Sequence, residues 1–265
     1  MDSRASRELG RSGLEVGGLG ISSSYRAPAA AYEEAFERGC NYFTWGTFVK
    51  GRAKAMREAV RSIVARGRRD DLVLALLTYA HVHTVTSWRL GRALDALGTD
   101  RVDVLLLGYY GHVPPPRILD GAQKLVREGR VRFVGLTSHR RAVFQEAEAA
   151  GGIDVIHVRY NAAHRGAEED VFPHVDGPEG PGVVSFTATD WGRLLDPKRM
   201  PAGEPPLTAA ECYRFALHHP AVDACMTGPK TLEQMRENLS VLDQPPLSDD
   251  ELGRIRRIGD HVYGR

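Results

Sequence analysis

Cysteine is nearly missing from this chain. Cys40, Cys212 and Cys225 are odd in number and far apart, which argues against a disulfide frame or a zinc cluster and suits buried thiols in a reducing compartment. An excess of either charge is missing too: 35 basic residues face 34 acidic ones, for a net charge of +1. No broad field is then available to attract nucleic acid or an anionic membrane, and neither is an expected partner. No stretch reaches the roughly 18 consecutive apolar residues of a membrane span. Residues 1–10 carry charges where a signal peptide needs an apolar run. The expected location is the cytoplasm, and the expected partner a small-molecule ligand held by a monomer or a small homo-oligomer.

What is present has the balance of one large globular domain: 265 residues, 42% hydrophobic and 26% charged, a size at which α/β barrels run undivided. Leu9-Gly10-Arg11-Ser12-Gly13-Leu14 suggests an N-terminal hairpin. After it, apolar strand-like runs alternate with amphipathic helical runs to the end of the sequence. The expected strands are 16–22, 41–45, 72–79, 102–108, 132–138, 155–160, 182–188 and 224–228. The expected helices are 28–38, 52–66, 84–97, 118–128, 142–150, 209–218, 232–242 and 249–261. Pro173, Pro178 and Pro181 exclude a long helix over 171–182, and 196–206 reads as loop.

With no linker breaking the repeat, the pattern predicts an α/β fold of one domain over residues 1–265: a single (β/α)8 TIM barrel with an N-terminal β-hairpin. An open doubly wound sheet is the alternative. It usually brings a glycine-rich phosphate turn after its first strand, whereas Gly17-Gly18-Leu19-Gly20 lies within or before that strand. Barrels place their sites on the loops after the carboxyl ends of the strands, so the residues ending each strand matter most.

Five phrases follow one another along the chain: Leu9-Gly10-Arg11-Ser12-Gly13-Leu14-Glu15-Val16, then Leu94-Asp95-Ala96-Leu97-Gly98-Thr99-Asp100-Arg101-Val102-Asp103, then Glu128-Gly129-Arg130-Val131-Arg132-Phe133-Val134-Gly135-Leu136. Arg159-Tyr160-Asn161 with Arg165 and Glu168, and Thr227-Gly228-Pro229-Lys230-Thr231 with Glu237-Asn238, complete the set. In order and spacing they resemble the aldo-keto reductase family. Each also reads as framework, because Gly and Asn that end strands or turn corners suit any barrel.

The resemblance implies an oxidoreductase that reduces carbonyls by hydride transfer from a nicotinamide. A Tyr gives the proton, a Lys beside it lowers the Tyr pKa, an Asp pairs the Lys, and a His orients the substrate. This chain departs at all four positions. Where the family reads Asn-Phe-Phe-Asp-Thr-Ala with the Tyr five residues after the Asp, it has Asn41-Tyr42-Phe43-Thr44-Trp45-Gly46 and then Val49. Thr44 thus stands for the Asp and Val49 for the Tyr, while Leu77 stands for the Lys and Gly108 for the His. No Lys lies between Lys54 and Lys124, so no slip of the alignment restores the ammonium. A lone Tyr titrates near pH 10, and positioned proton transfer contributes about 10²- to 10⁴-fold, so the ordinary reaction should be atypical or lost. Replacing all the charged partners together strands no charge, and the barrel should still fold. The rival readings are a non-catalytic ligand- or partner-binding barrel (a pseudoenzyme) and, third, a metal-dependent or cofactor-free hydrolase or lyase.

By the same resemblance, Thr137, Ser138 and His157 would meet the nicotinamide carboxamide and Phe186 would stack on its ring. Lys230, Thr231, Gln234, Glu237 and Asn238 would clasp the adenosine 2′-phosphate, which favours NADP over NAD. Taken alone, Thr231 with Gln234 is a helix N-cap pair and Lys230 a solvated charge. Alternation along strands puts Tyr79 on a face with Leu77 and Tyr110 on one with Gly108, which makes both tyrosines candidate substitute acids. His81, His83, His112, His139, His157 and His164 sit on or after four strands and would suit zinc or iron if they converged, but no carboxylate accompanies them and no metal is assigned. Trp45 and Trp191 read as pocket walls or packed core.

Overall fold

The structure is a computed structural model that describes residues 6–175, 177 and 179–264. Two short strands, β1 (Arg7–Glu8) and β2 (Glu15–Val16), pair antiparallel in an N-terminal hairpin. Eight more follow: β3 (Leu19–Ser22), β4 (Tyr42–Gly46), β5 (Val73–Thr78), β6 (Val102–Gly108), β7 (Val131–Ser138), β8 (Val155–Arg159), β9 (Gly182–Phe186) and β10 (Ala224–Thr227). All eight pair in parallel and close in the order β10-β3-β4-β5-β6-β7-β8-β9. The helices are α1 (Ala29–Glu37), α2 (Lys54–Ala65), α3 (His83–Leu97), α4 (Pro116–Arg127), α5 (Ala142–Ala150), α6 (Ala167–Asp170), α7 (Phe172–Val175), α8 (Ala209–His218), α9 (Leu232–Leu239) and α10 (Asp249–Tyr263). The expected barrel and its hairpin are therefore present.

Strands covered on both faces need near-continuous apolar runs, and β6, buried from Val102 to Gly108 and apolar except for the paired Asp103, is such a run. Three of the later helices begin at side-chain caps, with Thr231 capping α9. Thr208 with Glu211 and Ser248 with Glu251 each form a reciprocal capping box at the start of α8 and α10. Among the described residues, no helix is long and apolar enough to cross a membrane.

Two boundaries differ from the expectation by more than two residues. The strand expected over 16–22 divides, because Gly17 lies so close to the Gly39 carbonyl that a Cβ there would stand 2.1 Å from its oxygen. Asn41 Oδ1 accepts the Gly17 N–H at 3.0 Å at the same point, which turns the chain from hairpin into barrel. The helix expected over 232–242 ends at Leu239 and tightens into a 3₁₀ turn, Ser240–Asp243.

The barrel interior is filled by Tyr42, Val73, Ala75, Val104, Val155, Val184, Ala224 and Met226, and the hairpin's Leu9, Leu14 and Val16 join the same cluster from the amino-terminal end. The larger cluster lies between the strands and the helices. α10 closes the outside by laying Gly259 on the loop after β8, where a Cβ would stand 2.1 Å from the Ala162 carbonyl oxygen. Gly253 in the same helix is open, with its nearest neighbour 3.7 Å away. Gly259→Ala should therefore destabilise by about 2 kcal/mol through overpacking, while Gly253→Ala should stabilise by about 0.5–1 kcal/mol through helix propensity. Urea unfolding of the two variants checks this, and equal effects at both positions would contradict the packing described.

Candidate functional site

Alternation from the interior residues Tyr42, Val73, Val104, Val155 and Val184 carries Thr44, Leu77, Gly108, Arg159 and Phe186 to the inner face at the carboxyl end. Three of the four positions matching the family's catalytic groups thus meet at one mouth, and none of them is charged. Thr44 is buried, with its hydroxyl 3.8 Å from Met226 Sδ. Leu77 is half-buried. The backbone of Val49 lies in the turn Val49–Gly51, and its side chain falls outside the described part. Gly108 has no side chain, and its place is taken: a Cβ there would lie 2.4 Å from Tyr79 Cδ1 and Cε1.

A row of rings crosses this mouth. Phe48 stacks on Tyr79 at 4.8 Å between centroids, and Tyr79 on Tyr109 at 4.5 Å. Tyr109 tilts against His139 at 5.8 Å, and His139 meets Phe186 edge-on at 5.6 Å. Burial and the neighbouring Tyr109 push the Tyr79 phenol above its ordinary value, the opposite of what an adjacent ammonium does.

The expectation for Tyr110 is corrected. Tyr109 takes a left-handed φ of 55°, so the strand alternation does not continue through it. Tyr110 turns outward into the strand–helix layer, where it is buried and stacks on His81 at 4.4 Å. Tyr109, 59% exposed, takes the place over the mouth. The Tyr109-Tyr110 doublet was visible in the sequence, but only the backbone handedness decides which ring faces in.

The residues matched to the carboxamide fare unequally. Thr137 is half-buried and lies opposite His157 in the β7–β8 register. Ser138 is buried; its hydroxyl donates to the Tyr110 carbonyl at 2.8 Å and accepts from the Arg140 N–H at 3.1 Å, which pins the loop after β6. His157 lies inside the barrel, with Nε2 2.8 Å from Tyr42 Oη. Phe186 is half-buried at the mouth.

At the far end of the mouth, Thr231 caps α9 by accepting the Gln234 N–H at 3.1 Å, and Gln234 Oε1 accepts the Lys230 N–H at 2.9 Å. Lys230, Thr231, Gln234 and Glu237 are exposed. No carboxylate among the described residues lies within ion-pair distance of the Lys230 ammonium, so it is available to a phosphate beside the helix N-terminus. Asn238 is buried instead, donating to Thr227 Oγ1 at 2.6 Å, which donates on to Tyr213 Oη at 2.8 Å. The phosphate end and the Phe186 face therefore fit a nicotinamide dinucleotide, while His157 and Asn238 are already engaged within the protein.

The histidines do not converge. His81 packs on Tyr110, His83 on Gly121, and His164 on Asp190 and Tyr263. Among the described residues no three His, Cys, Asp or Glu gather as metal ligands. Trp45 is core, 3% exposed, whereas Trp191 is 59% exposed in a loop where Thr187, Asp190 and Trp191 all take left-handed φ.

Most of the resembling phrases prove to be framework. Asp103, below the mouth, accepts the Leu74 N–H at 2.8 Å and pairs with Arg69 at 2.9 Å and Arg132 at 3.1 Å, locking three strands together. Asn161 accepts the N–H groups of Ala163 and His164 and donates to the Thr187 carbonyl at 2.8 Å. Glu168 accepts the Tyr160 hydroxyl at 2.7 Å and pairs with Arg256 of α10 at 2.9 Å, while Arg165 pairs with Asp260 of α10 at 2.7 Å.

Comparisons with known proteins agree with this geometry. Residues 13–206 match the model of the aldo/keto reductase family. The chain is 22% identical to the "uncharacterized oxidoreductase YqkF" of Bacillus subtilis, over 94% of this chain and 95% of that protein. It is 22% identical to the L-galactose dehydrogenase of Arabidopsis thaliana, over 92% of each. The aldo-keto reductase AKR11C1 of Bacillus halodurans, solved in a holo form, has the same fold, with a TM-score of 0.80 at 21% identity over 96% of this chain and 95% of that one.

The Tyr42–His157 bond has a pH signature. Burial pushes His157 down to about 3, so it is neutral in the folded barrel. The unfolded chain, whose His titrates near 6.5, binds the extra proton between those values. Stability should therefore rise with pH from about 3 to about 6.5, by about 1.4 kcal/mol per unit from this residue, and level off above. His157→Gln keeps a hydrogen-bonding side chain beside Tyr42 and removes the titration. Its unfolding free energy between pH 4.5 and 7.5 should lose one proton's worth of slope, and an unchanged slope would mean that His157 is not held neutral.

Proposed function

The chain belongs to the aldo-keto reductase family, and from that premise we propose that it binds a nicotinamide dinucleotide, NADP in preference to NAD, in a barrel whose carbonyl-reductase activity is atypical or lost. The observation that carries this reading is the contrast between the two ends of the mouth. Lys230 presents a free ammonium next to Thr231 at the start of α9, the chemistry that meets a 2′-phosphate. The catalytic end presents Thr44, Leu77 and the ring of Tyr79 over Gly108, with no ammonium and no carboxylate among them.

When bound, the dinucleotide supplies a hydride. Phe186 offers a half-buried face for its ring, and Thr137 a hydroxyl for the carboxamide. Proton delivery is the step left without machinery. Tyr79 is the phenol that fills the Gly108 position, and its burial beside Tyr109 raises its pKa away from working pH. A second reading, a barrel that holds a ligand without redox chemistry, draws on His157 and Asn238, whose polar atoms are bound inside the protein.

Titration calorimetry of the dinucleotide-free protein with NADPH and NADH separates the two. NADPH should bind at least tenfold more tightly than NADH, and Lys230→Ala should weaken NADPH by about tenfold while leaving NADH within twofold. NADPH oxidation with a panel of aldehydes and ketones should stay at the level of the protein-free control. Brisk oxidation that Tyr79→Phe abolishes would establish Tyr79 as a replacement acid, and no binding at millimolar NADPH would leave the second reading standing.

A further inference from the structure

Arg159 ends β8 on the same inward face as Val155 and His157, opposite Phe186 in the β8–β9 register. It is half-buried. Other arginines around this end of the barrel are matched: Arg165 by Asp260, Arg193 by Asp190, Arg141 by Asp170. Among the described residues, nothing accepts a hydrogen bond from the Arg159 guanidinium and no carboxylate lies within ion-pair distance of it.

Its charge is felt on both sides. His139 is pushed below its ordinary pKa by burial and then by Arg159, and so is His164, where Asp190 pulls in the other direction. Asp190, like Asp260 and Asp170, is already paired, with His164 at 3.3 Å and Arg193 at 3.2 Å. The replacements at Thr44, Leu77 and Gly108 place no negative charge at the mouth. A partly desolvated guanidinium without a partner is costly in the empty protein, and an incoming anion would supply the partner.

Beside it runs the row Phe48, Tyr79, Tyr109, His139 and Phe186. Tyr109 is 59% exposed and is held over the mouth by a left-handed φ that a non-glycine residue adopts only at some cost. An aromatic wall whose Tyr109 ring is open to solvent, next to an unpaired, bidentate-capable cation, suits a ligand that carries both a ring and an anion.

We infer that the mouth binds a planar aromatic acid, its ring laid on the exposed face of Tyr109 beside His139 and Phe186 and its carboxylate held by Arg159. Such a ligand needs no dinucleotide, although it would share the mouth with one. The rival source of the anion is the diphosphate of the dinucleotide itself.

Calorimetry with 2-naphthoate and its neutral counterpart 2-naphthamide, without dinucleotide, tests the assignment. The carboxylate should bind about tenfold or more tightly than the amide. Arg159→Met should erase that difference, Arg159→Lys should restore part of it, and Tyr109→Ala should weaken both probes. The thermal midpoint of Arg159→Met without ligand should equal or exceed that of the parent chain, because the variant loses an unpaired, half-buried charge. Equal binding of the two probes, binding of neither, or unaltered naphthoate binding by Arg159→Met would overturn the proposal. So would a tenfold loss of NADPH affinity in Arg159→Met with naphthoate unaffected, which would give the guanidinium to the diphosphate. NADPH failing to bind while naphthoate does would count against the cofactor reading alone.

Discussion

Closure of eight parallel strands is the constraint from which the rest follows. Once β10 pairs with β3, every second residue of each strand faces a shared interior that holds only a few layers of side chains. What can stand there is decided jointly by all the strands, so a change at one inward position is answered at another. The absence of a side chain at Gly108 is answered by the ring of Tyr79. His157 can sit deep inside because Tyr42 reaches it from across the barrel.

The same constraint explains how a reductase-type barrel tolerates the loss of its charged centre. An ammonium and a carboxylate facing each other in a closed mouth are stable only as a pair, and removing one strands the other. Here neither is present, and Thr44, Leu77 and the aromatic row fill the space with neutral groups. Fixed charges at this end include Arg159 and the Asp190 pairings within the segment after β9.

Framework and mouth differ in how tightly their side chains are bound to the rest of the fold. Asp103, Asn161, Glu168 and Arg165 each make several bonds that tie strands or α10 together, and a substitution at any of them would leave buried groups unpaired. These residues lie in the phrases that resemble the family, which is why the resemblance speaks first of shape. Mouth residues such as Phe48 and Tyr109 instead meet their neighbours through ring contacts with Tyr79 and His139.

The sequence by itself determined the barrel, because uninterrupted apolar runs spaced by amphipathic ones have few ways to bury both faces, and it determined the neutrality of the catalytic positions, because no Lys lies near enough in the chain to restore one. The alternation of side chains also carried Thr44, Leu77, Tyr79 and Phe186 to the mouth. It could not follow the chain beyond the end of β6, where the left-handed turn at Tyr109 reversed the roles of two adjacent tyrosines. Nor could it tell that Ser138, His157 and Asn238 would be engaged inside while Lys230 and Arg159 stayed free. Which partner a polar group finds depends on residues tens to over a hundred positions away, as for Tyr42 and His157, and only the closed barrel brings them within a hydrogen bond's reach.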